Sequence, residues 1–500
     1  MKIIKKHFIL TTLIIIYLIT RLYNILLLPI FTDESIYIYW AKVISETYSQ
    51  WGLSLTDGKP PLLVWTIAIF LKALPSHLYL LAGRFPSVIA GAITLFGIYK
   101  ISQLLFKSQK IAIIASLLYI FNPFSLFYDR MALFDSLLTS MLIWSVYFAV
   151  KTAQTQKLKD AILWGLFLGL AFLSKPTAVI FLLLTPPIYL ILVGRKSLHN
   201  WRKTLIMVIV PVLISEFINN LQRLSKVYYL FEAKNQQFQQ PIEKLLKEPF
   251  SLTLGNLQGF FSWIIPYYTW PIYIAGLIAF IILILKKPKI GSTLLILWFT
   301  PIFILATAGR EIFPRYILFT TPYFLIAVAF LINLITDSPV RGLTPTLRRG
   351  LIPLIPTLLL LLPSLKFDYL LFTNPPKAPL PDIDYNQYIS EHPSGYGLDK
   401  VFAFLDKETP KGTVNLIIQG TFGLYPYAFI LEYWDDPNLK INPRWPLSTI
   451  DPDVFQMAKN TPTYVLLKEH DQIPAQLPLI LVLKSEKPGG KYPLLLTKLK

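Results

Sequence analysis

The chain has 500 residues, 54% of them hydrophobic and 15% charged, and a mean hydropathy of +0.53. Soluble domains run at about 45–50% apolar and about 25% charged, so a soluble enzyme with one buried core is excluded, as are disordered and collagen-like chains. The sequence has no cysteine, which excludes disulfides, thiolate metal sites and cysteine nucleophiles.

The 47 basic and 28 acidic side chains give a net charge of +19, unevenly spread. Residues 1–366 carry 34 basic and 13 acidic side chains, residues 367–500 carry 13 and 15. The basic excess lies between apolar runs, as expected of cytoplasmic membrane loops rather than of a nucleic-acid-binding surface.

Hydropathy predicts about eleven spans, at roughly 8–30, 78–106, 110–128, 131–150, 160–174, 177–193, 204–222, 266–285, 290–308, 316–336 and 351–366. The first is too long, and lacks the small-residue site, for a cleaved signal peptide. It leads into FTDESIYIYWAK (31–42), where Asp33 and Glu34 open a helix and Asp33, Tyr37 and Ala41 share a face. Acids are favoured at a helix start in any case; the functional reading is a general base facing the outer leaflet. In DGKPPLLVW (57–65), Gly58 and two prolines force a stiff entry into a short apolar helix, interfacial or re-entrant, and hold Lys59 at head-group level. There Lys59 either snorkels or binds a phosphate.

Arg84 lies at the outer end of the second span, and YDRMALFDS (128–136) places Asp129, Arg130 and Asp135 beside or inside apolar helices. A carboxylate one turn into a span is costly unless paired, and Arg130 or Arg84 is the expected partner of Asp135. Lys175 sits at another outer helix end, and REIFPRY (310–316) adds Arg310, Glu311 and Arg315.

Lys2, Lys5, Lys6, Lys100, Lys107, Lys110, Lys151, Lys157, Lys159, Arg195, Lys196, Arg202, Lys203, Lys286, Lys287, Lys289, Arg341, Arg348 and Arg349 fall in the alternate loops. Those loops and the N-terminus are therefore expected in the cytoplasm. Residues 31–77, 223–265 (an outer loop) and everything after 366 are expected outside. The acids and cations singled out above all fall on that outer side, where the rule does not favour cations.

Residues 367–500 read as a small extracytoplasmic α/β domain, with strand-like TVNLIIQG, YAFILEYW, TYVLLKEH and LPLILVLK and a helix VFAFLDKE stopped by Pro410. The stretch 423–437 is read as a buried strand with a solvated turn in preference to a sugar-stacking surface. No Gly-rich nucleotide loop is present, and His199 and His470 form no zinc constellation.

Carboxylates, cations and an apolar wall suit a lipid-linked phosphate donor, because fixed cations stabilise a departing phosphate. The motifs also carry a resemblance. Asp33-Glu34 with Tyr37, Lys59-Pro60-Pro61-Leu62, Arg84-Phe85-Pro86-Ser87, Tyr128 to Asp135, Gly169 to Lys175 and Arg315-Tyr316 resemble, in order and placement, the GT-C glycosyltransferases of the protein O-mannosyltransferase and lipid A aminoarabinose transferase type.

The resemblance implies a polytopic α-helical membrane protein, with a transmembrane GT-C domain at 1–366 and the small α/β domain at 367–500. It implies an inverting glycosyltransferase of the cell membrane that moves a sugar from a polyprenyl-phosphate donor to a lipid, glycan or protein hydroxyl. It implies Asp33, with Glu34, as base or orienting carboxylates. Tyr37, Lys59, Arg84, Arg130, Asp135, Lys175 and Arg315 would bind substrate. Members often carry Glu or His before the Lys-Pro step, in some as part of a metal site; here Gly58 stands there, so neither metal nor other cofactor is expected. A transporter or flippase of a lipid-linked or acidic substrate is the main alternative, but its ionisable groups belong near the midplane between repeated halves. A scaffold displaying the tail is the third reading.

Overall fold

The computed structural model describes residues 2–194, 200–337, 354–447, 449–490 and 492–499. Arg195, Lys196, His199, Arg341, Arg348, Arg349 and the start of the expected 351–366 span lie outside them. In chain order the helices are α1 (Lys2–Leu22), α2 (Thr32–Glu46), α3 (Leu62–Ala73), α4 (Tyr79–Phe106), α5 (Gln109–Ile120), α6 (Pro123–Tyr128), α7 (Phe134–Thr155), α8 (Leu158–Phe172), α9 (Val179–Val193), α10 (Trp201–Asn220), α11 (Tyr228–Gln236), α12 (Ile242–Lys247), α13 (Thr253–Tyr268), α14 (Trp270–Lys286), α15 (Pro288–Ala308), α16 (Thr321–Asp337), α17 (Leu354–Thr373), α18 (Asp382–Tyr385), α19 (Leu398–Glu408), α20 (Leu424–Glu432) and α21 (Pro452–Asn460). Strands β1 (Val414–Gln419), β2 (Leu439–Arg444), β3 (Thr463–Leu467), β4 (Leu479–Ser485) and β5 (Leu494–Leu499) are all in the C-terminal part.

Among the described residues, seven helical stretches are long and apolar enough to cross a bilayer, and α13 with α14, bent by 111°, make an eighth if the pair is one span. The protein is a multi-pass membrane protein. The other three of the eleven expected spans correspond to shorter helices. The apolar part of α1 is Phe8–Leu22, and α8 has 15 residues. The 110–128 stretch breaks in two: α5 ends at Ile120, and Asn122, whose side chain accepts from the Ser125 amide, caps α6 with Pro123 in its first turn. Residues 223–265 are largely helical, contrary to the loop expected there, because the apolar GFFSWII stretch of α13 continues into the bent pair.

The chain divides into two compact units. The first is Met1–Tyr23, Ser49–Thr66 and Arg84–Phe372; the second is Asn24–Tyr48, Ile67–Gly83 and Thr373–Lys500. In the first unit α10 lies along α8 at close range. A Cβ on Gly165 would come within 2.7 Å of the Pro211 backbone, and one on Gly169 within 2.6 Å of the Ile218 side chain; small residues of this kind let membrane helices approach. Trp164, Tyr189, Phe148 and Met207 fill the adjoining core. Helix α17 runs through residue 366.

The second unit has a five-stranded sheet of order β2-β1-β3-β5-β4. The first three strands are mutually parallel, and β5 and β4 are antiparallel additions. Ile417, Val465, Leu467 and Leu495 pack on one face with Val454 and Met457 of α21. Toward the other, Phe404 of α19 meets the Tyr464 ring, and Phe402 meets Phe429 of α20. The strand expected at 427–434 is helix α20. Its buried Leu424, Ala428 and Leu431 recur at helical spacing, so YAFILEYW, though rich in strand formers, folds as a half-buried crossover helix. β2 and β5 were not foreseen: LKINPR and LLLTKL are an edge strand and a short Lys-interrupted run.

Candidate functional site

The first unit gathers charges at a helix start, a turn and a 3₁₀ segment. Asp135 is in the first turn of α7, where free amides favour an acid. Lys175 follows α8, and Arg315 opens the segment Pro314–Thr320. Lys175 Nζ lies 2.6 Å from Asp135 Oδ1, and Arg315 Nε lies 4.0 Å from Asp135 Oδ2. The Lys175 ammonium stands 3.9 Å from the Tyr316 ring centre, and the Arg315 guanidinium 5.0 Å from that of Phe313. Burial pulls Lys175 down to about 8; Asp135 opposes this, while Arg315 and Lys59 reinforce it. Lys59 comes within reach because the Leu62 amide donates to the Leu173 carbonyl at 3.0 Å, tying the Lys-Pro-Pro step to the end of α8. Lys175 and Arg315 thus flank one buried carboxylate, with the Lys59 charge felt by Lys175, and such a basic place suits an anion. The partners of Asp135 are Lys175 and Arg315, in place of the Arg130 or Arg84 expected.

The step itself is braced from α11. Asp57 pairs with Lys234 at 3.3 Å, Asn235 donates to the Gly58 carbonyl at 3.2 Å, and Lys59 Nζ stands 4.9 Å from the Phe238 ring centre. Gly58 has φ +70° and closes a 3₁₀ turn, a conformation glycine adopts without strain. Among the described residues no three His, Asp or Glu side chains converge as metal ligands would.

A second cluster centres on Asp129. It accepts from Tyr17 Oη (3.2 Å), Tyr119 Oη (3.0 Å) and Ser136 Oγ (2.7 Å), and pairs with the fully buried Arg21 at 3.5 Å. Arg21 in turn donates to the Ile120 carbonyl and to Ser125 Oγ, and its guanidinium stands 4.5 Å from the Tyr17 ring centre. This network joins α1, α5 and the turn before α7. Arg130, also buried, donates to the Tyr23 carbonyl at 2.8 Å and faces the Phe372 ring at 5.1 Å. Arg84 is 1% exposed. Arg21, and Asp368 of α17, which is 3% exposed, were missed by sequence reasoning: the signal was an ionisable residue at the end of an apolar run.

Asp33, Glu34 and Tyr37 belong to the second unit. They stand on α2 as expected. Glu34 is fully buried and turns back to accept from the Phe31 amide at 3.1 Å, which satisfies an otherwise orphaned donor. Tyr37 packs against Trp40 with ring centres 5.7 Å apart. Asp33 is partly exposed.

Over 98% of this chain and 97% of the other, the fold superposes on ArnT from Cupriavidus metallidurans bound to undecaprenyl phosphate, with a TM-score of 0.59 and 11% identity. The chain therefore has the fold of this ArnT. The apo state of the same ArnT gives a TM-score of 0.56 at 12% identity over the same shares. The S. cerevisiae Pmt1-Pmt2 complex bound to its sugar donor gives 0.35 at 16%, over 48% of this chain and 36% of that one. Residues 58–218 match the model of the dolichyl-phosphate-mannose-protein mannosyltransferase family. No curated protein matches the sequence.

Proposed function

We propose that the protein is a membrane glycosyltransferase that takes a sugar from a polyprenyl-phosphate carrier and delivers it, with inversion, to a hydroxyl on an extracytoplasmic lipid, glycan or protein. The observation that carries this reading is the gathering of Lys175 and Arg315 at the buried Asp135, with the Lys59 charge close enough to act on Lys175. Lys175, Arg315 and Lys59 would hold the carrier phosphate, with Arg84 and Arg130 as further cations. The phosphate is the leaving group, and fixed cations offset its developing negative charge. The fold match to an undecaprenyl-phosphate-bound ArnT and the mannosyltransferase family match support the same donor class.

Asp33 is assigned as the carboxylate that takes the proton of the acceptor hydroxyl. Glu34, occupied with its own helix start, supports α2. No metal is part of this proposal, because Gly58 stands directly before the Lys-Pro step. The N-terminus lies in the cytoplasm and residues 31–77 and 367–500 outside, as the distribution of Lys and Arg in the loops implies.

The test uses proteoliposomes carrying undecaprenyl-phosphate-linked mannose, labelled in the sugar, with membrane extract as acceptor. Wild type is expected to move label to a non-carrier product. Asp33→Asn is expected to bind carrier and transfer nothing. Movement of the intact carrier between leaflets with no transfer would replace this reading by that of a flippase, and wild-type transfer by Asp33→Asn would remove that carboxylate from the chemistry.

A further inference from the structure

In the sheet of the second unit, β1 leads through α20 to β2 on one side, and β2 leads through α21 to β3 on the other. Where two such connections diverge, the carboxyl ends of the central strands are left uncovered, and open α/β sheets bind ligands there. The residues at that edge have a distinct chemistry. Lys468 directly follows β3, and its Nζ stands 5.8 Å from the Tyr425 ring centre and 5.9 Å from that of Trp445, which directly follows β2. Gly420, directly after β1, has φ +112°, and a Cβ there would sit 3.4 Å from Lys468 Nζ, so the ammonium lies close over the loop backbone. Gln419 closes the base of the edge, accepting from the Lys468 amide at 3.0 Å and touching His470 Nε2 at 3.3 Å.

Lys487 is buried behind this edge. Its Nζ donates to Tyr425 Oη (2.8 Å) and to the carbonyls of Glu391 (2.8 Å) and Ser394 (3.0 Å). Burial and the Lys468 charge bring Lys487 down to about 7, and the same two causes lower His392. The carboxylate paired with Lys468 is Glu469, at 3.1 Å and 37% exposed, so positive charge is only partly offset. Trp445, beside the ammonium, is 59% exposed, and Phe422, two residues after Gly420 in the β1–α20 loop, is 50% exposed. An exposed aromatic face beside a half-buried cation suits a sugar ring that carries a negative group.

The edge also adjoins the start of α2. The Thr32 amide and hydroxyl both donate to the Pro393 carbonyl at 3.0 Å, and a Cβ on Gly423 would meet Thr32 Cγ2 at 3.4 Å. We propose that the carboxyl edge of this sheet, around Lys468, Trp445 and Phe422, binds an anionic sugar, phosphorylated or carboxylated, that forms part of the acceptor. The role as acceptor rests on the transferase reading; the binding itself does not.

The test is calorimetric titration of the full-length chain in detergent micelles, without donor, with D-glucuronic acid, glucose 6-phosphate, glucose and inorganic phosphate. The charged sugars are expected to bind at least tenfold more tightly than glucose and than phosphate. Lys468→Met and Trp445→Ala are each expected to weaken them tenfold or more, with Lys468→Arg retaining most of the affinity and all three variants melting like wild type. Equal binding of glucose, equal binding of phosphate, no binding of either charged sugar, or full binding by both Lys468→Met and Trp445→Ala would each overturn the proposal. Binding without any transfer in the liposome assay would leave this site standing and remove the transferase reading; transfer without binding would do the reverse.

Discussion

The donor affinity of this protein should depend on pH through Lys175. Burial holds its ammonium at about 8, against Asp135 at 2.6 Å and with Arg315 and Lys59 adding to the depression. A bound phosphodiester adds a second negative neighbour and favours the charged form, so the bound-state value rises. The sign follows directly: below pH 8 Lys175 is already charged and affinity is flat, and above pH 8 binding must take up a proton. The donor KM should then climb toward tenfold per pH unit, equivalent to about 1.4 kcal/mol per unit, until the bound-state value is reached. Lys175→Met removes both the titration and the contact. A charge-assisted hydrogen bond is worth about 1.5–3 kcal/mol, so donor KM at pH 7 should rise roughly 10–100-fold, with a flat profile between pH 7 and 9. The assay is initial-rate transfer at varied donor across that range, with kcat read separately. A wild-type KM that stays constant from pH 7 to 9, or a Lys175→Met variant that keeps the wild-type slope, would refute the reasoning.

Gly91→Ala should destabilise the first unit by about 3 kcal/mol or more, because its Cβ would lie 1.9 Å from Tyr17 Oη and 2.5 Å from Asp129 Oδ2; wild-type melting of the variant would contradict the network. Lys59→Ala should raise donor KM and leave acceptor KM within twofold, and an unchanged donor KM would remove Lys59 from the phosphate. Glu34→Gln should cost about 1 kcal/mol, the scale of a helix-start cap, while keeping most of the turnover, whereas Asp33→Asn abolishes it; equal loss in both would give Glu34 a direct role. Transfer should survive EDTA, since Gly58 stands before the Lys-Pro step; loss restored by a divalent ion would show that metal is required.

Much of the membrane part was legible because long apolar runs have few structural options in a bilayer, and the charges at helix ends were visible as exceptions to that rule. What hydropathy does not encode is where a run breaks: the Asn122-Pro123 cap splits one expected span, and the bend between α13 and α14 hides half of a pair inside an expected loop. The partners of Asp135 come from a turn and a 3₁₀ segment, 40 and 180 positions along the chain, and sequence spacing offers no route to that choice over the nearer Arg130. In the tail, period-2 reading failed for YAFILEYW because strand-forming residues also fill the buried face of a crossover helix, and it passed over LLLTKL because that short run has no apolar–polar alternation.

The hydrogen bonds from Thr32 to Pro393 join positions 361 apart. At about 5–20 residues per second, a ribosome needs roughly 20–70 s to make the second partner after the first. During that interval Tyr39 of α2, whose ring stacks on that of Tyr427 with centres 4.2 Å apart in the finished molecule, has no tail to cover it. Biogenesis of this protein therefore includes a waiting period for α2, and premature termination anywhere before the C-terminal sheet leaves the Tyr39 face of that helix uncovered for chaperones and quality-control proteases.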